Sequence, residues 1–196
     1  MTIKQLVVAA VVLVATAPVP ARADWLIAPF IGGNAGGDAV KPRANFGFDA
    51  AWMGAGAVGI QFDAGWTPNF FDTSNTDVST LVSGSSVSTY MVNAIVGVPV
   101  GGQRGMGVRP YGSAGLGGIH TRMKSDLGLV DAKNTDLGWN AGAGAIGFFT
   151  DQIGVTGDVR YFGNFKNDLS DNTLITDSSR FGFWRITGGV VFRFAM

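Results

Sequence analysis

The chain contains no cysteine and no glutamate, so all 14 of its acidic residues are aspartates. The absence of cysteine excludes disulfide bonds and thiolate metal sites. Beyond residue 23 the chain also lacks an apolar run of about 18 residues, the minimum for a transmembrane helix. Yet mean hydropathy is positive at +0.26, and glycine is abundant, with 30 residues. A chain that is hydrophobic without a long apolar run must distribute its apolar residues in some other pattern.

The first residues have the organisation of a secretory signal peptide. Lys4 supplies a positive charge, and Leu6–Ala15 is an apolar run too short to cross a bilayer. Pro18 and Pro20 break this run, and Ala21–Ala23 offers small residues at a cleavage site. The sequence therefore predicts export from the cytoplasm, with cleavage after Ala23.

The predicted organisation is a signal peptide over residues 1–23 and one domain over residues 24–196. Removing Lys4 and Arg22 with the signal leaves 12 basic residues against 14 acidic ones, a formal charge of −2. This balance gives no basic footprint for nucleic acid. No residue pattern predicts a cofactor or a metal site, and aspartate-rich segments such as 168–177 fit no calcium-loop spacing.

The predicted domain is all-β, because apolar residues recur at every second position in eight segments. These segments cover about 24–33, 44–53, 57–68, 87–100, 108–120, 137–149, 153–163 and 182–194. The connections alternate in length, and the long polar ones are 34–43, 72–86, 121–136 and 164–181. Short turns at one rim and long loops at the other are typical of outer-membrane barrels. We therefore expect an eight-stranded antiparallel up-and-down barrel.

The two faces of the predicted strands differ in charge. One face carries no charged residue, as in the last strand at Trp184, Ile186, Val190 and Phe192. The other face carries a set of charged residues that we predict to form a polar network in the lumen: Asp49, Asp63, Arg109, Asp158, Arg160, Arg185 and Arg193. Since unpaired buried charges are prohibitively costly, we expect salt bridges that join Asp63 or Asp158 to Arg160 or Arg185.

Tryptophans lie at or near the predicted strand ends. These are Trp25, Trp52, Trp139 and Trp184. Aromatic residues at both ends of membrane-spanning strands form girdles at the membrane–water interfaces. We therefore predict that these four side chains form an aromatic girdle.

The alternative architecture is a soluble eight-stranded barrel that carries a lipid in the periplasm. Such a barrel has the opposite sense of alternation, with its apolar face inside and its charges outside. It would need many lysines on the outer face, but only four lysines remain after residue 23, all in predicted long loops. The sense of alternation favours the membrane barrel.

Four stretches resemble a known family of small outer-membrane β-barrels, which includes opacity proteins and the barrel domain of outer-membrane protein A. They are Arg109–Gly117, Gly138–Gly144, Gly157–Phe162 and Trp184–Phe194. The resemblance extends over essentially the whole mature chain and is sharpest in its second half. It implies the fold and an outer-membrane location; because the family is functionally mixed, it implies no catalytic or binding residues.

Motifs for enzyme chemistry are weak. Two G-x-G-x-x-G segments, Gly54–Gly59 and Gly142–Gly147, fall on a turn and within a strand, whereas nucleotide binding needs a following helix. His120 is the only histidine, and no nucleophile and acid stand at a diagnostic spacing from it. We expect no enzymatic activity.

The leading functional expectation is a structural or surface-interaction role, in adhesion or envelope integrity. The expected partners are outer-membrane lipids, the barrel-assembly machinery during biogenesis, and a surface partner that binds the long loops. The alternative is passage of a small apolar solute, for which Leu26, Phe30 and Phe183 would have to line an apolar cavity near the outer rim.

Overall fold

A computed structural model describes residues 23–37, 39–54, 57–70, 84–101, 105–124, 131–165 and 181–195. These residues form eight strands. They are β1 (Ala23–Gly36), β2 (Ala39–Gly54), β3 (Val58–Pro68), β4 (Gly84–Gly97), β5 (Gly107–Lys124), β6 (Asp131–Phe148), β7 (Ile153–Asn164) and β8 (Gly182–Ala195). The predicted signal peptide lies outside the described residues, apart from Ala23. Within the described ranges, no helix has the length and hydrophobicity needed to cross a membrane.

The strands close into one antiparallel barrel in chain order, with β1 paired to β8. The expected up-and-down eight-stranded barrel is therefore confirmed. A barrel of eight strands has an interior just wide enough for side chains to fill. The residues on the inner face consequently decide whether anything can pass.

The alternation in the sequence places one set of side chains inside the barrel and the other set outside. In β8, Phe183, Arg185, Val191 and Arg193 are buried, while the intervening Trp184 and Ile186 are exposed. The same alternation runs through the other strands, so large apolar side chains cover the exterior. Because charged groups face inward and apolar groups outward, the barrel has the sense of a membrane protein.

The structure corrects two of the predicted long loops. Residues 34–43 are mostly strand, because β1 continues to Gly36 and β2 begins at Ala39. Residues 121–136 are also mostly strand, because β5 continues to Lys124 and β6 begins at Asp131. These extensions carry mostly small and polar residues, and backbone hydrogen bonds pair the strands there without apolar side chains on the exterior. The alternation of apolar residues therefore predicted only the part of each strand whose exterior is apolar.

The two rims are distinguished by the connections that they carry. The rim that holds the chain ends also holds the connections after β2, β4 and β6, and we call it the inner rim. The opposite rim, which we call the outer rim, holds the connections after β1, β3, β5 and β7. The connections after β3 and β7 are the longest, and they lie mostly outside the described residues.

Candidate functional site

The lumen is filled in its middle by an ion network that spans the barrel. Asp63 on β3 receives a two-pronged contact from Arg185 on β8: Nη1 donates to Oδ1 at 3.0 Å, and Nη2 donates to Oδ2. Arg160 on β7 also reaches Asp63, with 3.3 Å between Nη1 and Oδ2. Asp63 and both arginines are essentially inaccessible to solvent. Asp63 on one wall of the barrel thus accepts hydrogen bonds from two arginines on the other wall.

Two further aspartates surround Arg160. Asp158, two residues earlier on β7, places Oδ1 2.8 Å from Arg160 Nε. Asp49 on β2 lies farther away, with 3.8 Å between Oδ2 and Arg160 Nη2. The hydroxyl of Tyr111 donates to Asp158 Oδ2 at 2.9 Å. The network therefore has three carboxylates, two guanidinium groups and one phenol.

Aromatic rings and a glycine hold Arg185 in place. The guanidinium carbon lies 4.9 Å from the ring centre of Phe30 and 4.6 Å from that of Phe162. At Gly65, a β-carbon would stand 2.7 Å from Arg185 Nη1 and 2.9 Å from Thr89 Oγ1. A side chain at position 65 would thus force the guanidinium of Arg185 or the hydroxyl of Thr89 to shift, which favours glycine there.

A row of amides occupies another part of the polar interior. Asn140 on β6 donates through Nδ2 to Asn93 Oδ1 at 2.8 Å. Asn93 in turn donates to Gln61 Oε1 on β3 at 3.5 Å. All three side chains are buried. These contacts connect β3, β4 and β6 through the lumen without a net charge.

The inner-rim half of the lumen contains an apolar cluster with two arginines beside it. The cluster consists of Leu26, Ala28, Ala51, Met53, Ile95, Tyr111, Ile146, Phe148 and Val191. Arg193 lies over the ring of Phe148 at 3.5 Å, and Arg109 lies 5.6 Å from the same ring. Arg193 also approaches Asp24, with 3.9 Å between Nε and Oδ2. This end of the barrel is therefore closed by packing rather than by the central ion network.

Aromatic side chains fill the outer-rim half. The apolar cluster here consists of Ala39, Phe70, Val87, Met91, Ile119, Phe162 and Phe183, with Phe181 packed against it. Phe162 and Phe183 stack with their ring centres 5.1 Å apart. Phe70, which follows β3, contacts Phe183 at 5.2 Å and Phe181, which precedes β8, at 5.7 Å. The ends of the two longest connections therefore meet over the mouth of the barrel.

A cavity inside the barrel lies between the central network and the inner-rim cluster. It measures about 20 Å³ and is bordered by Asp49, Gln61, Tyr111 and Thr156 together with apolar side chains. A volume of this size accommodates about one water molecule. It is too small for a nutrient, a lipid or a cofactor.

All seven residues of the predicted lumen network are buried inside the barrel, but they do not form one cluster. Asp49, Asp63, Asp158, Arg160 and Arg185 contact one another as described above. The remaining two, Arg109 and Arg193, lie against Phe148 instead. Sequence reasoning missed the parts played by Phe30, Phe162 and Gly65. Only the inward phase of these three positions was readable from the alternation.

The predicted girdle tryptophans lie on the outside of the barrel at two levels. Trp25 and Trp52 are paired across β1 and β2 near the inner rim. Towards the outer rim, Tyr161 contacts Trp139 at 5.6 Å and Trp184 at 5.2 Å between ring centres. Trp66, which the prediction omitted, packs edge-on against Phe46.

The apolar cavity expected near the outer rim does not form from the three residues proposed for it. Leu26 belongs to the inner-rim cluster and Phe183 to the outer-rim cluster. Phe30 lies against the guanidinium of Arg185. The register separates these residues along the barrel axis, which the sequence alone could not show.

Within the described residues, no group of three or more histidine, cysteine or acidic side chains is arranged to hold a metal ion. His120, the sole histidine, contacts Thr135 and Arg122.

Comparison with known proteins gives one family and several similar folds. A family model described as "Outer membrane protein beta-barrel domain" matches residues 7–194. No functionally curated protein gives a significant sequence match.

Among solved structures, the N-terminal β-barrel domain of Pseudomonas aeruginosa OprF is 20% identical, with a TM-score of 0.57. The match covers 87% of this chain and 97% of that one. Neisserial surface protein A is 16% identical, with a TM-score of 0.59 and the same coverage. Ail, the attachment invasion locus protein of Yersinia pestis, in complex with the heparin analogue sucrose octasulfate, is 16% identical with a TM-score of 0.50. That match covers 88% of this chain and 99% of the other. At these low identities, the matches show only that the folds are alike.

Proposed function

This chain belongs to the outer membrane protein β-barrel domain family, and on that premise we propose that it is a non-enzymatic, non-conducting platform at the bacterial surface. In this role the barrel anchors the connections of the outer rim in the membrane, where they contribute to adhesion or envelope integrity. The two levels of exterior aromatic side chains would lie at the two membrane interfaces.

The filled lumen is the observation that carries this proposal. Side chains occlude the barrel at three levels: the inner-rim cluster, the Asp63 network and the outer-rim aromatic cluster. Opening a path would require breaking buried ion pairs, and leaving one such charge unpaired costs about 3–5 kcal/mol. Among the described residues the lumen holds a cavity of about 20 Å³, too small for a solute, and this supports a function that resides on a surface.

The outer rim is the surface best suited to this role. The connections that follow β3 and β7 are the longest in the chain, and the aromatic contacts of Phe70 with Phe181 and Phe183 hold their ends together. Long loops on a rigid scaffold are common positions for binding residues. Ail, which shares the fold, was crystallised with a heparin analogue, so a barrel of this shape can hold a ligand.

Planar-bilayer recording tests the non-conducting part of the proposal. We expect the refolded full-length chain to give no stepwise conductance above that of the bare bilayer. Regular porin-like steps would contradict it.

Whole-cell assays test the surface role. Replacing residues 166–180 by a Gly/Ser segment of equal length should reduce cell adherence or detergent resistance. A shorter control replaces residues 102–104 at the inner rim, which faces the periplasm in outer-membrane barrels. Equal effects of the two replacements, with both proteins folded, would contradict a role for the outer rim.

A further inference from the structure

The exterior of β4, β5 and β6 changes from apolar to polar along one continuous line. Below this line, towards the membrane centre, Tyr90, Leu116 and Leu137 are exposed to more than half of their area. Above it, His120 on β5 lies directly between Ser88 on β4 and Thr135 on β6 in the register. Since three neighbouring strands change together, this line marks the outer edge of the apolar belt.

A short hydrogen-bonded chain stands on the polar side of that line. Arg122 Nε donates to His120 Nε2 at 3.1 Å. Because Nε2 accepts this bond, the ring proton belongs on Nδ1, which lies 2.8 Å from Thr135 Oγ1 and donates to it. The hydrogen bond to Thr135 thus orients the imidazole ring of His120, and that ring in turn orients the guanidinium group of Arg122. In the described part of the chain, both terminal nitrogens of exposed Arg122 remain available for a ligand.

The surrounding charge on this hairpin is positive. Lys133 on β6 stands directly opposite Arg122 in the register, and Lys124 follows one outward position later on β5. Asp131 is opposite Lys124. The next carboxylate, Asp136, accepts two hydrogen bonds of 3.0 Å from Asn134. By register, three basic positions of this hairpin therefore lie beside one acidic position.

We propose that His120, Arg122 and Thr135 form a binding site for the phosphate of a lipid in the outer leaflet. The planar fork of arginine matches phosphate oxygens, and its orientation by His120 leaves that fork free. The site lies immediately above exposed Tyr90 and Leu137, where a bound lipid would place its phosphate while its chains pack on the apolar belt. This inference rests on the membrane location and is independent of the adhesive role.

The single histidine provides a direct test. Untagged, refolded protein is placed in phosphatidylcholine nanodiscs with or without diphosphoryl lipid A, and the His120 ring resonances are recorded by NMR. Native mass spectrometry of the same samples measures how much lipid the protein retains. We expect lipid A to shift the His120 resonances and to remain bound after phosphatidylcholine has dissociated.

Variants separate a built site from general attraction. Arg122→Gln should reduce lipid A retention by roughly fivefold, the effect of one basic residue near a charged membrane. Arg122→Lys, which keeps the charge but loses the fork, should restore retention only in part. The charge-matched control is Arg104→Gln, in the inner-rim connection, which should retain lipid A like the unaltered protein.

Several results would overturn the proposal. These are an unchanged His120 spectrum with lipid A, equal losses in Arg122→Gln and Arg104→Gln, or full retention by Arg122→Gln. Inorganic phosphate in lipid-A-free nanodiscs serves as the remaining control. If it reproduced the spectral shift and lipid A did not displace it, the site would bind a free ion rather than a lipid.

Discussion

Like charges are neighbours on both walls of the lumen. Asp49 stands directly opposite Asp63 in the β2–β3 register, and Arg160 stands directly opposite Arg185 in the β7–β8 register. Each of these pairs is unfavourable by itself, because like charges directly opposite each other destabilise a sheet. Salt bridges between the aspartates of one wall and the arginines of the other offset both repulsions. Alternation predicted that these residues face inward, but not which strands face each other across the lumen.

The network also predicts that its aspartates are not equivalent. Asp63 contacts both arginines, whereas Asp49 approaches only Arg160, at 3.8 Å. Asp63→Asn leaves the fork of Arg185 without a charged acceptor, so it should lower the free energy of unfolding by about 3–5 kcal/mol. Urea unfolding of the barrel in lipid vesicles measures this change through the transition midpoint.

Asp49→Asn is the matched control, since it makes the same chemical change on the adjacent strand. With three carboxylates and two guanidinium groups in the network, removing the charge of Asp49 also relieves its repulsion with Asp63. The expected loss for Asp49→Asn is therefore smaller than that for Asp63→Asn. Equal destabilisation by the two variants would contradict the central position of Asp63.

Among the elements, β1, β2 and β3 are joined near the outer rim by one hydroxyl group. Thr67 Oγ1 accepts from Asn34 Nδ2 at 2.6 Å and from Asn45 Nδ2 at 2.8 Å. All three side chains are buried. Thr67→Val keeps the shape but leaves two buried donors without their acceptor, which costs about 1–3 kcal/mol for each donor. The outer ends of β1 and β2 should therefore open more often.

Hydrogen exchange measures that opening strand by strand. In Thr67→Val, amide exchange should accelerate in residues 31–36 and 39–45 and remain unchanged in β5 and β6. Thr67→Ser, which retains the hydroxyl, should exchange like the unaltered protein. A uniform acceleration in all strands would show that Thr67 acts on global stability instead.

The number and order of the strands were predictable because each strand crosses an apolar environment and must alternate with a period of two. The ends of the strands were not predictable by the same reasoning. Beyond the apolar belt, β5 continues through His120 and Arg122 to Lys124, where the exterior positions are polar and the apolar alternation ends. The preference for glycine at position 65 was also not predictable from the sequence, because the side chain that crowds this position belongs to Arg185, 120 positions later.

For the molecule as a whole, closure of β1 against β8 makes the lumen a sealed interior. The β1–β8 register pairs Ile27 with Phe192, both on the exterior. Directly opposite residues have Cα atoms about 4.5–5.5 Å apart, within the range of about 4.4–6.8 Å that a disulfide bond spans. Because the chain has no cysteine, an intramolecular disulfide bond in a variant with two introduced cysteines must join those two residues.

Oxidation of the double variant Ile27→Cys, Phe192→Cys should therefore form a bond that closes nearly the whole chain into a ring. After heating, the oxidised protein should migrate faster on a denaturing gel than the same protein after reduction. The control pair, Ile27→Cys with Val190→Cys, lies on the same face but two residues out of register, where Cα atoms are about 7–8 Å apart. It should form little cross-link. Equal cross-linking of both pairs would mean that the register is not fixed. Failure of the first pair would mean that β1 and β8 are not neighbours, and an open sheet could not keep Asp63, Arg160 and Arg185 away from solvent.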